Sequence, residues 1–350
     1  MAMSFWQDRK VLLTGHTGFK GAWLSELLVG RGAEVSGIAL PPEGESSLYA
    51  DLKLDTRMRS TLLDIRDADA LRKEVATIAP DIVLHLAAQS LVRRSYKDPV
   101  GNWATNVMGT VHLLDALHRL DRQVTAIVVT TDKVYENHEW AYAYRENDPL
   151  GGYDPYSASK AAAELVSASW RRSFGGAGLK IATARAGNVI GGGDWAEDRL
   201  VPDIIRSLQA GKPAEIRNPA SIRPWQHVLD PLEGYLTLAE RVHLAADARF
   251  QSGYNFGPEP ADVFSVRDLA DTILKHWPGD WTDASETGAV HEAGRLSLSI
   301  DKARCDLGWA PVWRFADAIE KTVTWYRQVA EGADPLQVTR DQIAAFEADR

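Results

Sequence analysis

In the segment Gly15-His16-Thr17-Gly18-Phe19-Lys20-Gly21, three glycines recur at intervals of three. Before it lies a short apolar run, Lys10–Gly15, and after it Ala22–Gly30, where Trp23, Leu24, Leu27 and Leu28 recur at helical spacing. Strand, tight loop and helix in that order constrain this chain more than any other feature. Glycines permit the sharp turn and let the backbone approach a pyrophosphate, which the free N–H groups of the following helix N-terminus attract. Gly15, Thr17, Gly18, Phe19, Lys20 and Gly21 are therefore assigned to a dinucleotide cofactor.

The alternation continues downstream. Val35–Leu40 is a second apolar strand, broken by Pro41–Glu45. Ser60–Asp64 is followed by a helical segment at Asp67–Ala79, Asp81–Leu86 by a helix near Val100–Leu120, and then comes Thr125–Thr131. Strands separated by helix-length segments predict an α/β fold, a doubly wound parallel Rossmann sheet with right-handed crossovers. At ~100–200 residues per domain, 350 residues also require a second unit. The texture changes after Arg185: Asn188–Trp195 is rich in glycine, and Pro202, Pro213, Pro219 and Pro224 cut the next stretch into short pieces. Helices are expected at Val266–Trp277 and Phe315–Val329, with an irregular polar stretch between them. The division that follows is a dinucleotide lobe at 1–187, to which the chain returns at about 226–258. A smaller mixed α/β substrate lobe is built from 188–225 and 259–350.

Charge and cysteine content exclude several classes. Lys and Arg number 39 against 48 Asp and Glu, a net −9, with no basic tract to override it, so neither nucleic acid nor an anionic membrane is an expected partner. No ~18-residue apolar run could span a bilayer, the start MAMSFWQDRKVLLTG lacks a signal-peptide pattern, and the single Cys305 forms no internal disulfide. A cytoplasmic location is expected. None of the nine histidines has a second at three to five residues, and one cysteine builds no thiolate site, so no metal is expected. Trp195 and Trp225 fall in loops suited to facing a nucleobase or sugar.

Tyr156-Ser157-Ala158-Ser159-Lys160 sets a phenol and an amine four residues apart, on one face of a helix. An ammonium beside a phenol favours phenolate, so the tyrosine is expected to have a lowered pKa and to exchange a proton with a sugar hydroxyl or ketone. Upstream, Val128–Asn137 (VVTTDKVYEN) brings a hydroxyl, a carboxylate and an amine to the C-terminal end of a parallel strand, the edge where doubly wound sheets bind ligands.

Together these features resemble the extended short-chain dehydrogenase/reductase family over nearly the whole chain. Further landmarks are His85-Leu86-Ala87-Ala88-Gln89, Asn106 within TNVMGT, and Arg185-Ala186-Gly187-Asn188. The resemblance implies a hydride-transfer site of Thr131, Tyr156 and Lys160. It also implies NAD held by the glycine loop with Leu86, Ala87, Ala88, Asn106, Tyr156 and Lys160. Asp64 and Ile65, after the third strand, would contact adenine or else form a surface turn. The second strand ends Ile38-Ala39-Leu40-Pro41 without an acidic residue, so the usual criterion does not separate NAD from NADP.

Within the family, simple epimerases lack an acid and base after the threonine, whereas nucleotide-sugar 4,6-dehydratases carry an acidic pair. Here the pair is Asp132-Lys133. With GHTGFKG, ENDPLGGYDPYSASK, RAGNVIGGGDW and RNPASIRPWQHVLDPLEGYL, it implies dehydration of CDP-glucose in deoxysugar biosynthesis. GDP-mannose, dTDP-glucose, an epimerase and a non-catalytic NAD-binding regulator are the alternatives. Asp132 would be the acid and Lys133 the base, with Glu136 the nearest substitute. Gln89, Asn188, Arg199, Arg223 and Arg295 are expected to hold the substrate, arginine being suited to bidentate pyrophosphate recognition. Pairing through the Val100–Leu120 and Ser157–Arg172 helices would give a homodimer or a dimer of dimers.

Overall fold

The computed structural model describes residues 4–44, 46–175, 178–259, 261–262, 264–285 and 294–350. Glu45, at the end of the predicted strand break, and 286–293 of the polar stretch lie outside these. Among the described residues, seven strands form one parallel sheet: β1 (Lys10–Thr14), β2 (Glu34–Ala39), β3 (Arg59–Leu62), β4 (Ile82–His85), β5 (Val124–Val129), β6 (Leu179–Ala186) and β7 (Gly253–Phe256). Their spatial order is β3-β2-β1-β4-β5-β6-β7. This is the doubly wound sheet the alternation predicts.

Every residue of β4 and β5 is buried, as expected of strands covered on both faces. Successive side chains serve different cores. Leu12, Val83 and Val128 join one cluster with Leu71, Val75 and Leu113, while Leu13, Leu84 and Ile127 join another with Trp23, Leu232 and Trp325.

The strand order reverses at β1, which has β2 on one side and β4 on the other, so a crevice opens beyond their C-terminal ends. The glycine turn fills its rim. Gly15 has φ +78°, and a Cβ there would lie 2.7 Å from the Ala87 nitrogen; a Cβ at Gly21 would lie 2.1 Å from the Gly15 carbonyl oxygen. Helix α1 (Phe19–Gly30) starts on Gly18 with no side-chain cap, three residues earlier than its apolar spacing suggests.

Several elements lie outside the predicted pattern. The predicted Val100–Leu120 helix is Pro99–Trp103 and Gly109–His118 joined by one π-helical turn, Ala104–Met108. β6 reads LKIATARA, and its polar residues hide a wholly internal strand from apolar periodicity. In the 226–258 stretch only β7 joins the sheet: Gln226–His227 pairs with Val189–Ile190, and Leu229–Leu244 is a helix. Leu200–Gln209 and two short strand pairs, Ala214–Ile216 with Trp281–Asp283 and Ile222–Arg223 with Phe264–Ser265, stand over the sheet's C-terminal edge. The last helix, Pro335–Asp349, packs on the one before it, Phe315–Ala330, and turns back onto α1, where Arg340 meets Glu26 at 2.8 Å and Arg31 meets Glu347 at 3.0 Å.

One buried ion pair ties the catalytic half together. Glu164, on helix α2 (Pro155–Ser173), accepts from Arg185 of β6 through Nε at 3.0 Å and Nη2 at 2.9 Å, and from the hydroxyls of Thr130 and Thr183 at 2.6 Å each. Burial opposes its charge, yet Arg185 and the two threonines hold the carboxyl below its ordinary pKa. Replacing Arg185 by Met strands this carboxylate, and an equilibrium urea melt should show a loss of about 3–5 kcal/mol. Glu164→Leu in the same chain should recover most of that loss, because no buried charge then lacks a partner.

Candidate active site

The strand end that carries the chemistry is built from a short turn. Past β5 the chain makes one tight turn at Asp132–Val134, with Thr131 as its cap: the Thr131 hydroxyl oxygen accepts from the Lys133 N–H at 3.4 Å and donates to Asp132 Oδ1 at 2.9 Å. Asp132 is fully buried. Its Oδ1 also meets Lys133 Nζ at 3.3 Å, and its Oδ2 has no hydrogen-bond partner among the described residues.

Helix α2 supplies the phenol and the second amine. Asp154 caps it, accepting from the Ser157 N–H at 2.9 Å and its hydroxyl at 2.6 Å, and the Tyr156 N–H donates to Ser95 Oγ at 3.2 Å. Lys160 Nζ donates to the Val129 carbonyl at 3.0 Å; burial pulls its amine down to about 8, against the pull of Glu164.

Tyr156 does not have the lowered pKa its spacing to Lys160 suggests. Burial pushes the phenol up to about 12, with Asp132 and Asp154 adding to this, while hydrogen bonding with Thr131 and the charge of Arg199 work the other way. The reason is physical: a dry site penalises phenolate, and the lysine four residues on has its ammonium on a backbone carbonyl.

Asn106, in the π-helical turn, joins three elements. Its Oδ1 accepts from the Gln89 N–H at 2.8 Å, and its Nδ2 donates to the Gln89 carbonyl at 3.0 Å and to Ser159 Oγ at 2.9 Å. The loop beyond β4 is thereby fixed to the helix of Tyr156. Leu86 and Ala87 line up beside β1, their N–H groups donating to the Thr14 carbonyl and hydroxyl.

Thr131, Lys133 and Tyr156 border a cavity of about 400 Å³ that runs from them to the second lobe. Of the predicted substrate residues it collects Asn188, Arg199 and Arg223, with Trp225. Two other predicted residues do not line it. The Gln89 side chain closes on its own loop, accepting from the Leu91 N–H and donating to the Leu91 carbonyl, and does not line the cavity. Arg295 donates to the Ala141 carbonyl at 3.2 Å and also lies off the cavity. Trp195 packs edge-on to Tyr326 instead of facing it.

The cofactor residues fall as follows. Thr17 donates its hydroxyl to the Leu40 carbonyl, Phe19 packs into the core beside Gly191, and Lys20 lines the cavity with Tyr156. Asp64 pairs with Arg66 at 2.6 Å, and Ile65 is buried against Gly109.

Sequence reasoning missed several cavity residues. Arg199 Nη1 donates to Asp194 at 3.0 Å and its Nη2 to Ser90 at 3.2 Å; Asp198 lies 3.3 Å from Arg217 and 3.9 Å from Arg93. Asp194 and Arg217 were visible inside the long runs quoted above, but nothing local marks them as cavity-facing. With Lys20, Arg93, Arg199, Arg217 and Arg223 around it, the cavity suits an anionic ligand despite the acidic chain. Among the described residues no group of three or more His, Cys, Asp or Glu could hold a metal ion, and no helix is long and apolar enough to cross a membrane.

The family model for GDP-mannose 4,6 dehydratase matches residues 12–276. A CDP-glucose 4,6-dehydratase of Salmonella typhimurium is 45% identical over 98% of this chain and 97% of its own length. A dTDP-glucose 4,6-dehydratase of Streptomyces griseus is 30% identical over 93% and 96%. Among solved structures, a dTDP-glucose 4,6-dehydratase from Streptomyces venezuelae with NAD and TYD bound superposes with a TM-score of 0.78 at 29% identity, covering 93% of this chain and 99% of that one.

The Asp132–Lys133 contact can be weighed by a double-mutant cycle. Lys133→Met should cost about 1–3 kcal/mol in a urea melt, because a buried carboxylate then keeps only the Thr131 hydroxyl. Adding Asp132→Asn should return part of that; strictly additive losses would mean the two side chains are not coupled.

Proposed function

Because the chain belongs to the GDP-mannose 4,6-dehydratase family, within the extended short-chain dehydrogenases/reductases, we propose that it converts CDP-glucose to CDP-4-keto-6-deoxyglucose. The observation that carries this reading is the Asp132–Lys133 pair, 3.3 Å apart at the end of β5 in the wall that holds Thr131 and Tyr156. An epimerase breaks no C–O bond and needs no such pair.

The switch point fits NAD. A Cβ at Gly18 would meet only the Gly15 carbonyl at 3.5 Å, so the uncapped start of α1 leaves room for a pyrophosphate, with Asp64 and Ile65 toward adenine and Tyr156 and Lys160 toward the nicotinamide end. When bound, NAD would supply a hydride acceptor that also returns the hydride, so no net oxidation would result.

The protein's own part is to move protons. Tyr156 takes the proton of the C4 hydroxyl, which requires the phenolate that burial opposes and that Thr131 and Arg199 favour. For the elimination, one proton shared within the Asp132–Lys133 contact suffices. Passing it from the ammonium to the carboxylate gives a neutral amine and a carboxylic acid with no change in total charge. The amine then takes the C5 proton and the acid protonates the departing C6 hydroxyl. Asn188, Arg199 and Arg223 hold the nucleotide-sugar diphosphate, and the lobe built from 188–225 and 259–350 encloses it.

Two chains pair through α2 and the broken helix at Pro99–His118, where Val100, Trp103, Met108 and Leu165 are exposed. The product feeds deoxysugar synthesis in the cytoplasm, in keeping with a lone, unbridged Cys305.

Incubation with CDP-glucose, GDP-mannose and dTDP-glucose in turn should give a 4-keto-6-deoxy product from CDP-glucose without stoichiometric NADH. No product from any of them would defeat the assignment. Tyr156→Phe should lower turnover by ~10²–10⁴-fold. Lys133→Ala should stop solvent deuterium entering C5 of the product; exchange at the parental rate would remove Lys133 as the base.

A further inference from the structure

In the C4 oxidation a hydride leaves one carbon while a proton leaves its oxygen, so the crevice that receives the first and the phenol that receives the second must keep a fixed register. They belong to different parts of the chain. Leu86 and Ala87, beyond β4, stand at the crevice, whereas Tyr156 is on α2. One line of buried side chains joins them.

Thr14 of β1 and His85 of β4 are partners in the sheet register. The Ala87 N–H donates to Thr14 Oγ1 at 3.2 Å, and Thr14 Oγ1 lies 2.6 Å from His85 Nδ1. On the other side of the ring, Nε2 lies 3.1 Å from Oγ1 of Thr110, whose hydroxyl donates to the Asn106 carbonyl at 2.7 Å. Asn106 belongs to the π-helical turn; its side-chain amide reaches Ser159 Oγ at 2.9 Å, and the Ser159 hydroxyl donates to the Tyr156 carbonyl at 2.7 Å. Thr14, His85, Thr110, Asn106 and Ser159 are all buried.

The protons along this line follow from its ends. A carbonyl only accepts, so Thr110 directs its one hydrogen at Asn106 and offers His85 a lone pair. Nε2 therefore carries the ring N–H. Burial, with the charge of Lys160, pulls the imidazole down to about 3, so the ring is neutral and its Nδ1 accepts from the Thr14 hydroxyl. Thr14 keeps a lone pair for the Ala87 N–H. The other tautomer would set two lone pairs against each other at Thr110.

We propose that His85 is a positioning residue for the C4 oxidation, joining the loop at the cofactor crevice to the turn behind Tyr156 through one directed chain of hydrogen bonds. The proposal rests on the dehydratase reading above. The ring itself is buried and does not line the cavity, so it acts only through the groups on either side. Its acceptor faces the crevice side and its donor the Tyr156 side. Asparagine would keep an acceptor near Nδ1 without the donor, and glutamine a donor near Nε2 without the acceptor.

The first measurement needs no variant. With the histidine ring nitrogens isotopically labelled, NMR of the unaltered protein should show His85 with a protonated Nε2 and a bare Nδ1, its signals being those absent from His85→Gln. The variants then separate the two arms, read as NAD affinity by titration and as kcat and KM with CDP-glucose at saturating NAD. His85→Asn should bind NAD as the parent does and lose about 10²-fold in kcat with little change in KM. His85→Gln should bind NAD about tenfold more weakly and keep most of kcat. His85→Leu should lose in both. A bare Nε2 would overturn the proposal. So would asparagine and glutamine variants that lose affinity and kcat alike, because the ring would then only fill space, and so would a leucine variant with parental values. If none of the variants folds, the tautomer decides. An unaltered enzyme that binds NAD but forms no product from any of the three nucleotide sugars would sink the dehydratase reading instead, and the tautomer and the affinity arm would then decide on His85.

Discussion

The arrangement of the catalytic half depends on a carboxylate that never reaches solvent. Glu164 takes hydrogen bonds from Thr130 beyond β5, from Thr183 and Arg185 of β6, and sits on the helix that also carries Tyr156 and Lys160. A single acceptor therefore fixes one helix against two neighbouring strands. Arg185 passes the constraint outward: its Nη1 donates to the Tyr135 hydroxyl at 2.8 Å and to the Glu146 carbonyl at 3.0 Å, and Tyr135 in turn donates to Asn255 of β7. Buried ion pairs are poor sources of net stability, because desolvation offsets attraction. What this one supplies is position. It is also electrostatic, since Lys160 lies one helical turn before Glu164 and feels its charge.

The distribution of charge explains how an acidic protein can serve an anionic substrate. A net −9 describes the far field, and the far field excludes polyanions. Inside the cavity, Asp194 and Asp198 each neutralise arginines that come from different parts of the chain: Arg199 on the same loop, Arg217 in the second lobe and Arg93 beyond β4. The two contacts of Asp198 are partly exposed and individually weak, whereas Asp194 is buried against Arg199. A diphosphate competes for these three arginines, which the two carboxylates hold oriented.

What was legible in the sequence was whatever local chemistry determines. The Gly15–Gly21 turn is visible because only glycine tolerates φ +78° at Gly15 and the 2.1 Å approach at Gly21. Tyr156 and Lys160 are visible because a helix fixes their spacing. Illegible were the properties that arise between segments. β6 escaped because Thr183 and Arg185 are polar yet wholly buried, their partner Glu164 lying on another element. Nothing local shows that Gln89 closes on its own loop, where a two-residue amide turn to Leu91 uses both of its polar atoms. The raised phenol of Tyr156 was beyond reach for the same reason, since spacing shows which residues are neighbours and burial decides what charge they can carry.

The same separation governs the lysines. Lys20, Lys133 and Lys160 are chemically identical side chains, and sequence motifs alone would give each a cation to contribute. Their surroundings make them three different groups: one bound to a backbone carbonyl, one to a carboxylate and one, among the described residues, to neither. A reaction that removes a hydride, then a proton, then a hydroxyl asks for different things from its surroundings in turn, first a phenolate site and then a proton pair. Side chains of one chemistry can meet such different demands only when what each lysine is bonded to is set before substrate arrives. The turn at Asp132–Val134, the carbonyl of Val129 and the start of α1 exert that control, each through backbone whose path the sheet determines.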